Sequence, residues 1–97
     1  MSRSLIERRL TEVAERLKRA RQDLAVVDEQ FAVMADAAED ARLRALVSET
    51  PLANKEYQQA RRHADAMERS RTTLLATIAE LRRSQDELLD RLVIESR

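Results

Sequence analysis

From Ile6 to Ala45 the apolar residues recur at steps of four and three without a slip: Ile6, Leu10, Val13, Leu17, Ala20, Leu24, Val27, Phe31, Met34, Ala38, Ala41 and Ala45. A strand presents every second residue to one side, and a globular helix usually presents a broad apolar face. A narrow stripe with a mean period of 3.5 belongs to a helix lying along another helix. The register places Leu10, Leu17, Leu24, Phe31, Ala38 and Ala45 at a, and Ile6, Val13, Ala20, Val27, Met34 and Ala41 at d. No Gly or Pro interrupts this stretch, so one continuous helix is expected over about 4–48.

The single proline stands near the midpoint, in Ser48-Glu49-Thr50-Pro51-Leu52-Ala53-Asn54-Lys55-Glu56. Pro51 disfavours helical geometry at Thr50 and lacks a backbone donor, so the first helix should end just before it. Two N-caps then compete for the second helix: Thr50 with Pro51 at the first helical position, or Asn54 followed by Lys55 and Glu56. A turn over about 49–54 and a second helix over about 55–95 are expected. Beyond the break the alternation resumes with Tyr57, Ala60, Ala64, Met67, Arg71, Leu74, Ile78, Leu81, Gln85, Leu88 and Leu92. Two helices of similar length, each with one seam, are most simply joined as an antiparallel two-helix coiled-coil hairpin. All 97 residues are read as one such unit of an all-α protein. Only two aromatic residues, and no Gly, Cys or Trp, leave little material for a β fold, a glycine-rich phosphate loop or a disulfide scaffold.

Eighteen basic residues balance eighteen acidic ones, which gives no general attraction to nucleic acid or to an acidic membrane, and neither partner is expected. The N-terminus has no apolar run of signal-peptide length, so the cytoplasm is the expected compartment. Charge is distributed unevenly along the chain. Residues 1–22 carry seven basic and three acidic groups, and residues 23–50 carry two and seven. Residues 51–71 carry five and three, and residues 72–97 carry four and five. Folding back at Pro51 sets the most basic stretch beside a mildly acidic one, and the most acidic beside a basic one. The seam is small near the turn, with Ala38, Ala41 and Ala45 opposite Ala60 and Ala64. It is rich in Leu, Ile and Val toward the termini, which should carry most of the stability.

Further apolar residues lie off the seam: Val26, Val33 and Val47 at c, Leu75 and Leu89 at e, and Leu43, Leu46, Val93 and Ile94 elsewhere. The e positions widen the second helix's stripe to the a/d/e pattern of a helix touching two neighbours. Association of two hairpins into a four-helix bundle, or cover by a protein partner, is therefore expected, with Leu75, Leu89, Val93, Ile94, Val26 and Val33 as the interface. Arg71 and Gln85 occupy a positions, where polar residues cost stability and set register and pairing. Arg71 should face Phe31 or Met34, with its head in reach of Asp36 or another flanking acid.

No constellation for catalysis or cofactor binding stands out. His63, the only histidine, lies in Arg61-Arg62-His63-Ala64-Asp65 with no cysteine in the chain, and is read as a solvated flank. Asp36, Glu39 and Asp40 are read as a solvated acidic face, with no metal ligands assigned. Arg42, Arg44, Arg61 and Arg62 near the turn offer guanidinium forks suited to phosphate or carboxylate, but interleaved acids at i+3 and i+4 spacing account for much of them.

Around the turn, Ser48-Glu49 followed by Lys55-Glu56-Tyr57-Gln58-Gln59-Ala60 loosely resembles the tip of the Gre transcript-cleavage factors, whose helical hairpin enters the secondary channel of bacterial RNA polymerase. The likeness covers about ten residues. Aligned on Ser48-Glu49, the family's metal-holding Asp falls on Leu46, and extra residues separate Glu49 from Glu56-Tyr57, so cleavage is not implied. The resemblance implies a hairpin whose tip, at Glu49, Pro51 and Leu52, probes a cleft of a large assembly. The function expected from the residues is that of a non-enzymatic adaptor or regulator, binding protein through its helix faces and tip. A polymerase-cleft factor and a structural coiled-coil spacer are the alternatives.

Overall fold

The computed structural model describes every residue, Met1–Arg97, and consists of two helices, α1 (Arg3–Ser48) and α2 (Pro51–Glu95), which pack against each other with no strand. The all-α hairpin expected from the heptads is the observed fold. Each helix is opened by a side-chain cap. Leu5 N–H donates to Ser2 Oγ at 3.3 Å and Ile6 N–H to the Ser2 carbonyl at 3.0 Å, which start α1 at Arg3.

The connection is shorter than the spacing predicts. It consists of Glu49 and Thr50 alone, and α2 begins at Pro51, not near residue 55. The physical reason is that both residues cap. Glu49 has φ 52°, in the left-handed region, and its N–H donates to the Ala45 carbonyl at 3.0 Å, closing α1 with the single bond of an αL motif. Thr50 then caps α2, accepting the Ala53 N–H on Oγ1 at 3.1 Å and the Asn54 N–H on its carbonyl at 3.1 Å. Pro51 sits at the first helical position, where its missing donor costs nothing. Asn54, the competing cap, lies within the first turn of α2.

The helical pair divides into two compact units. The terminal unit joins Met1–Leu24 to Leu74–Arg97, and the tip unit is the continuous segment Ala25–Thr73. In the terminal unit Ile6, Leu17 and Ala20 are buried, and Leu10, Val13, Leu24, Leu74, Ile78, Leu81, Leu88 and Leu92 are half-buried. In the tip unit Ala41 and Ala64 are buried, with Val27, Phe31, Met34, Ala38, Ala45, Tyr57, Ala60 and Met67 half-buried. No residue that the heptads place on the seam is exposed, so the one-stripe reading holds along both helices. The buried residues of the tip unit are alanines, whereas the terminal unit buries Ile6 and Leu17. Because burial of a Leu or Ile side chain is worth several times that of an alanine methyl, the branched residues supply most of the apolar driving force.

Three substitutions check this account by urea unfolding followed by circular dichroism. Leu17→Ala should lower stability by about 2–4 kcal/mol. Ala41→Leu should lower it by about 1–3 kcal/mol, because the tip seam has no room for a larger side chain. Glu49→Gly should raise stability by about 1 kcal/mol by relieving the left-handed backbone of a residue with a Cβ.

Candidate functional site

The sequence singles out two polar seam residues, a tip and a set of exposed apolar faces, and the structure places each of them. Arg71 lies on α2 at a seam position and is half-buried. Its Nε donates to Asp28 Oδ1 on α1 at 2.6 Å, a link between residues 43 apart in the chain. The expected neighbour Asp36 is not its partner. Asp36 lies two turns nearer the turn on α1, and the two-residue connection sets a register in which Asp28 is level with Arg71. Of the ion pairs in the chain this one alone joins α1 to α2, the others being Arg3 with Glu7 and Arg42 with Glu39 inside α1. The charge asymmetry between chain segments is thus realised as one direct cross-helix contact. Gln85 is half-buried, and no side-chain N or O atom is buried without a partner, so its amide stays within reach of water.

In the same register Val47 on α1 is level with Leu52 on α2. Leu43, Leu46 and Val47 follow the i, i+3, i+4 spacing that places side chains together on one helix surface. They are 48%, 61% and 86% exposed, and Leu52 is 66% exposed. The last turns of α1 therefore carry an exposed apolar face, set off the seam and just before Glu49. Glu49 and Pro51 are exposed there too. In the sequence Leu43, Leu46 and Val47 stand off the seam and outside the expected interface; their i, i+3, i+4 spacing just before the turn is the signal that groups them.

The remaining interface residues are placed as follows. Leu75, Leu89, Val93 and Ile94 are exposed on α2 in the terminal unit, and Val26 and Val33 are exposed on α1 in the tip unit. Met1, Ile6 and Ile94 meet at the end of the terminal unit, where Arg91 and Glu95 border them.

Charged groups near the turn behave as local pairs. Arg42 grips Glu39 with two bonds, Nε to Oε2 at 3.0 Å and Nη2 to Oε1 at 2.7 Å. This fork holds the Glu39 carboxyl below the usual glutamate value, through its hydrogen bonds first and its charge second, and raises Arg42 in return. Arg44, Arg61 and Arg62 form no ion pair, so the interleaved acids account for less of the arginine group than their spacing implied. His63 is exposed and borders an open groove with Ala41, Arg44, Glu56 and Gln59. No group of three or more His, Cys, Asp or Glu side chains is gathered to hold a metal ion, and Asp36, Glu39 and Asp40 stand apart in this sense. Between the helices of the terminal unit a groove of about 320 Å³ is bordered by Arg9, Arg16 and Arg91, with Glu12 and Glu87 interleaved. Acid and base alternate along its walls, and two glutamates offset two of the three arginines. No helix is long and apolar enough to cross a membrane.

Compared with protein-family models, with curated proteins and with solved structures, the chain finds no match. The ten-residue likeness to the Gre tip accordingly rests on the turn residues alone.

Two measurements test the charge assignments. In an NMR titration the Glu39 carboxyl should titrate below the usual glutamate value, and Arg42→Gln should return it there. The pair's contribution to stability is then present above the usual glutamate value and lost as pH falls through the lowered one. In urea, Asp28→Ala should cost only about 0.2–1 kcal/mol, since Arg71 retains water when unpaired. Arg71→Leu should leave stability unchanged or higher, because it removes a charge from the seam.

Proposed function

We propose that this chain is a non-enzymatic protein-binding module, an adaptor or regulator that acts through exposed apolar surface on its helix faces and at its tip. The observation that supports the reading most is the distribution of apolar side chains. Eleven large ones are exposed while only five residues of the chain are buried, and three of the exposed ones, Leu43, Leu46 and Val47, share one face of α1 just before the turn. Scattered single apolar residues are ordinary on any protein surface, but three at i, i+3 and i+4 on one helix face favour contact with another surface. Regular helices with open grooves supply no enclosed site in which a nucleophile, a base and an orienting group converge. Side chains on such a scaffold serve recognition by the helix-in-groove mode, in which anchors at i, i+3 and i+4 enter a partner's cleft.

The test is capture of the tagged full chain from its native cells, compared with the Leu46→Glu, Leu52→Glu double variant. Both positions are exposed, so helical content by circular dichroism should be unchanged. Loss of one specific protein from the double variant is the expected result. If that protein is RNA polymerase, the module is a polymerase-cleft factor. Identical recoveries from both chains would contradict a binding role for the tip and favour a structural spacer.

A further inference from the structure

Along α2 in the terminal unit, the e and b positions of the heptad form a stripe beside the seam: Leu75, Ala79, Arg82, Asp86, Leu89 and Val93. The steps are four, three, four, three and four residues, so the six side chains follow one line along the helix over about 27 Å. All six are exposed, Leu75 at 40%, Leu89 at 45% and Val93 at 56%. Arg82 and Asp86 take part in none of the chain's ion pairs, although they stand one turn apart. The chemistry along the stripe reads apolar, apolar, basic, acidic, apolar, apolar. Reversed, it is complementary to itself.

That property selects an occupant. A two-fold interface brings the same patch of two copies together, so residue i meets j and j meets i. With the copies antiparallel and the axis at the level of residue 84, Leu75 meets the partner's Val93 and Ala79 meets the partner's Leu89. At the centre Arg82 meets the partner's Asp86, and Asp86 meets the partner's Arg82. Parallel pairing would instead set Arg82 on Arg82 and Asp86 on Asp86, with like charges opposed at the centre. The small Ala79 opposite the larger Leu89 also lets the helices approach evenly. We propose that two copies of this chain pair antiparallel through the Leu75–Val93 stripe of α2, each terminal unit contributing two helices to a four-helix bundle. The proposal rests on the reading that the helix faces bind protein, and it is independent of the tip.

Sedimentation equilibrium of the full chain tests it. The wild-type chain should form a species of twice 11.2 kDa. Arg82→Asp sets a new carboxylate against the partner's Asp86, and Asp86→Arg sets a new guanidinium against the partner's Arg82. Either variant alone should therefore dimerise roughly tenfold more weakly or worse. Mixed together, the two variants oppose unlike charges at the centre of a heterodimer, which should assemble like the wild type and be resolved by native mass spectrometry. Circular dichroism of the separate variants checks that each hairpin stays folded. A wild-type chain that remains at 11.2 kDa at all concentrations, single variants that associate as the wild type does, or a mixture that fails to recover would each overturn the proposal. A persistent monomer that still loses a cellular partner on tip substitution would sink this interface and leave the tip reading standing.

Discussion

A helix with one neighbour has only one line along which to bury side chains, and every other feature of this protein follows from that constraint. Each of the two helices buries apolar residues only along a seam of period 3.5, and leaves large apolar side chains exposed on the rest of its circumference. Stability then depends on the size of the seam side chains. Ile6 and Leu17 are almost completely enclosed in the terminal unit, whereas the enclosed residues of the tip unit, Ala41 and Ala64, are small. The same constraint leaves the chain without an interior in which polar groups could be sequestered, and no polar or charged residue is buried. What polar specificity the seam contains, Arg71 with Asp28, lies at its half-exposed edge, where water moderates both its cost and its gain.

The turn shows how a chain without glycine reverses direction. The left-handed position that closes a helix is usually filled by Gly, and here Glu49 fills it at φ 52°. With Thr50 capping the next helix at once, two residues reverse the chain and set the register between α1 and α2. That register decides which charges meet. It brings Asp28 to Arg71, and it puts Val47 level with Leu52 at the tip.

The seam is legible in the sequence because its period is a direct consequence of two-helix packing, and every residue assigned to a or d from spacing is at least half-buried. The turn is legible only in part. Thr50 and Asn54 are both good caps, and spacing alone does not distinguish them. The choice depends on the proline ring fitting the first helical position and on Glu49 tolerating a left-handed backbone. The partner of Arg71 is out of reach for the same reason, since cross-helix register depends on the number of residues in the turn, and the sequence predicts a longer one. Of the candidate surfaces, the exposed α2 positions Leu75 and Leu89 are visible in the sequence as a stripe broadened to e. Leu43, Leu46 and Val47 are legible as off-seam apolar residues just before the turn, though not as part of the expected interface.

The central claim, that one chain folds back on itself along a single seam, is tested most directly by a distance within one molecule. Glu12 and Glu87 border the same groove from opposite helices, and the chain has no cysteine of its own, so Glu12→Cys with Glu87→Cys gives two unique sites for spin labels. Measured by double electron–electron resonance in an excess of unlabelled chain, the two labels should lie within about 30 Å of each other, with the distance unchanged by dilution. An opened chain, in which helix continues through residues 49 and 50, would place them about 110 Å apart at ~1.5 Å per residue. Loss of the short distance on dilution with unlabelled chain would mean that the seam forms between molecules, and would contradict the hairpin.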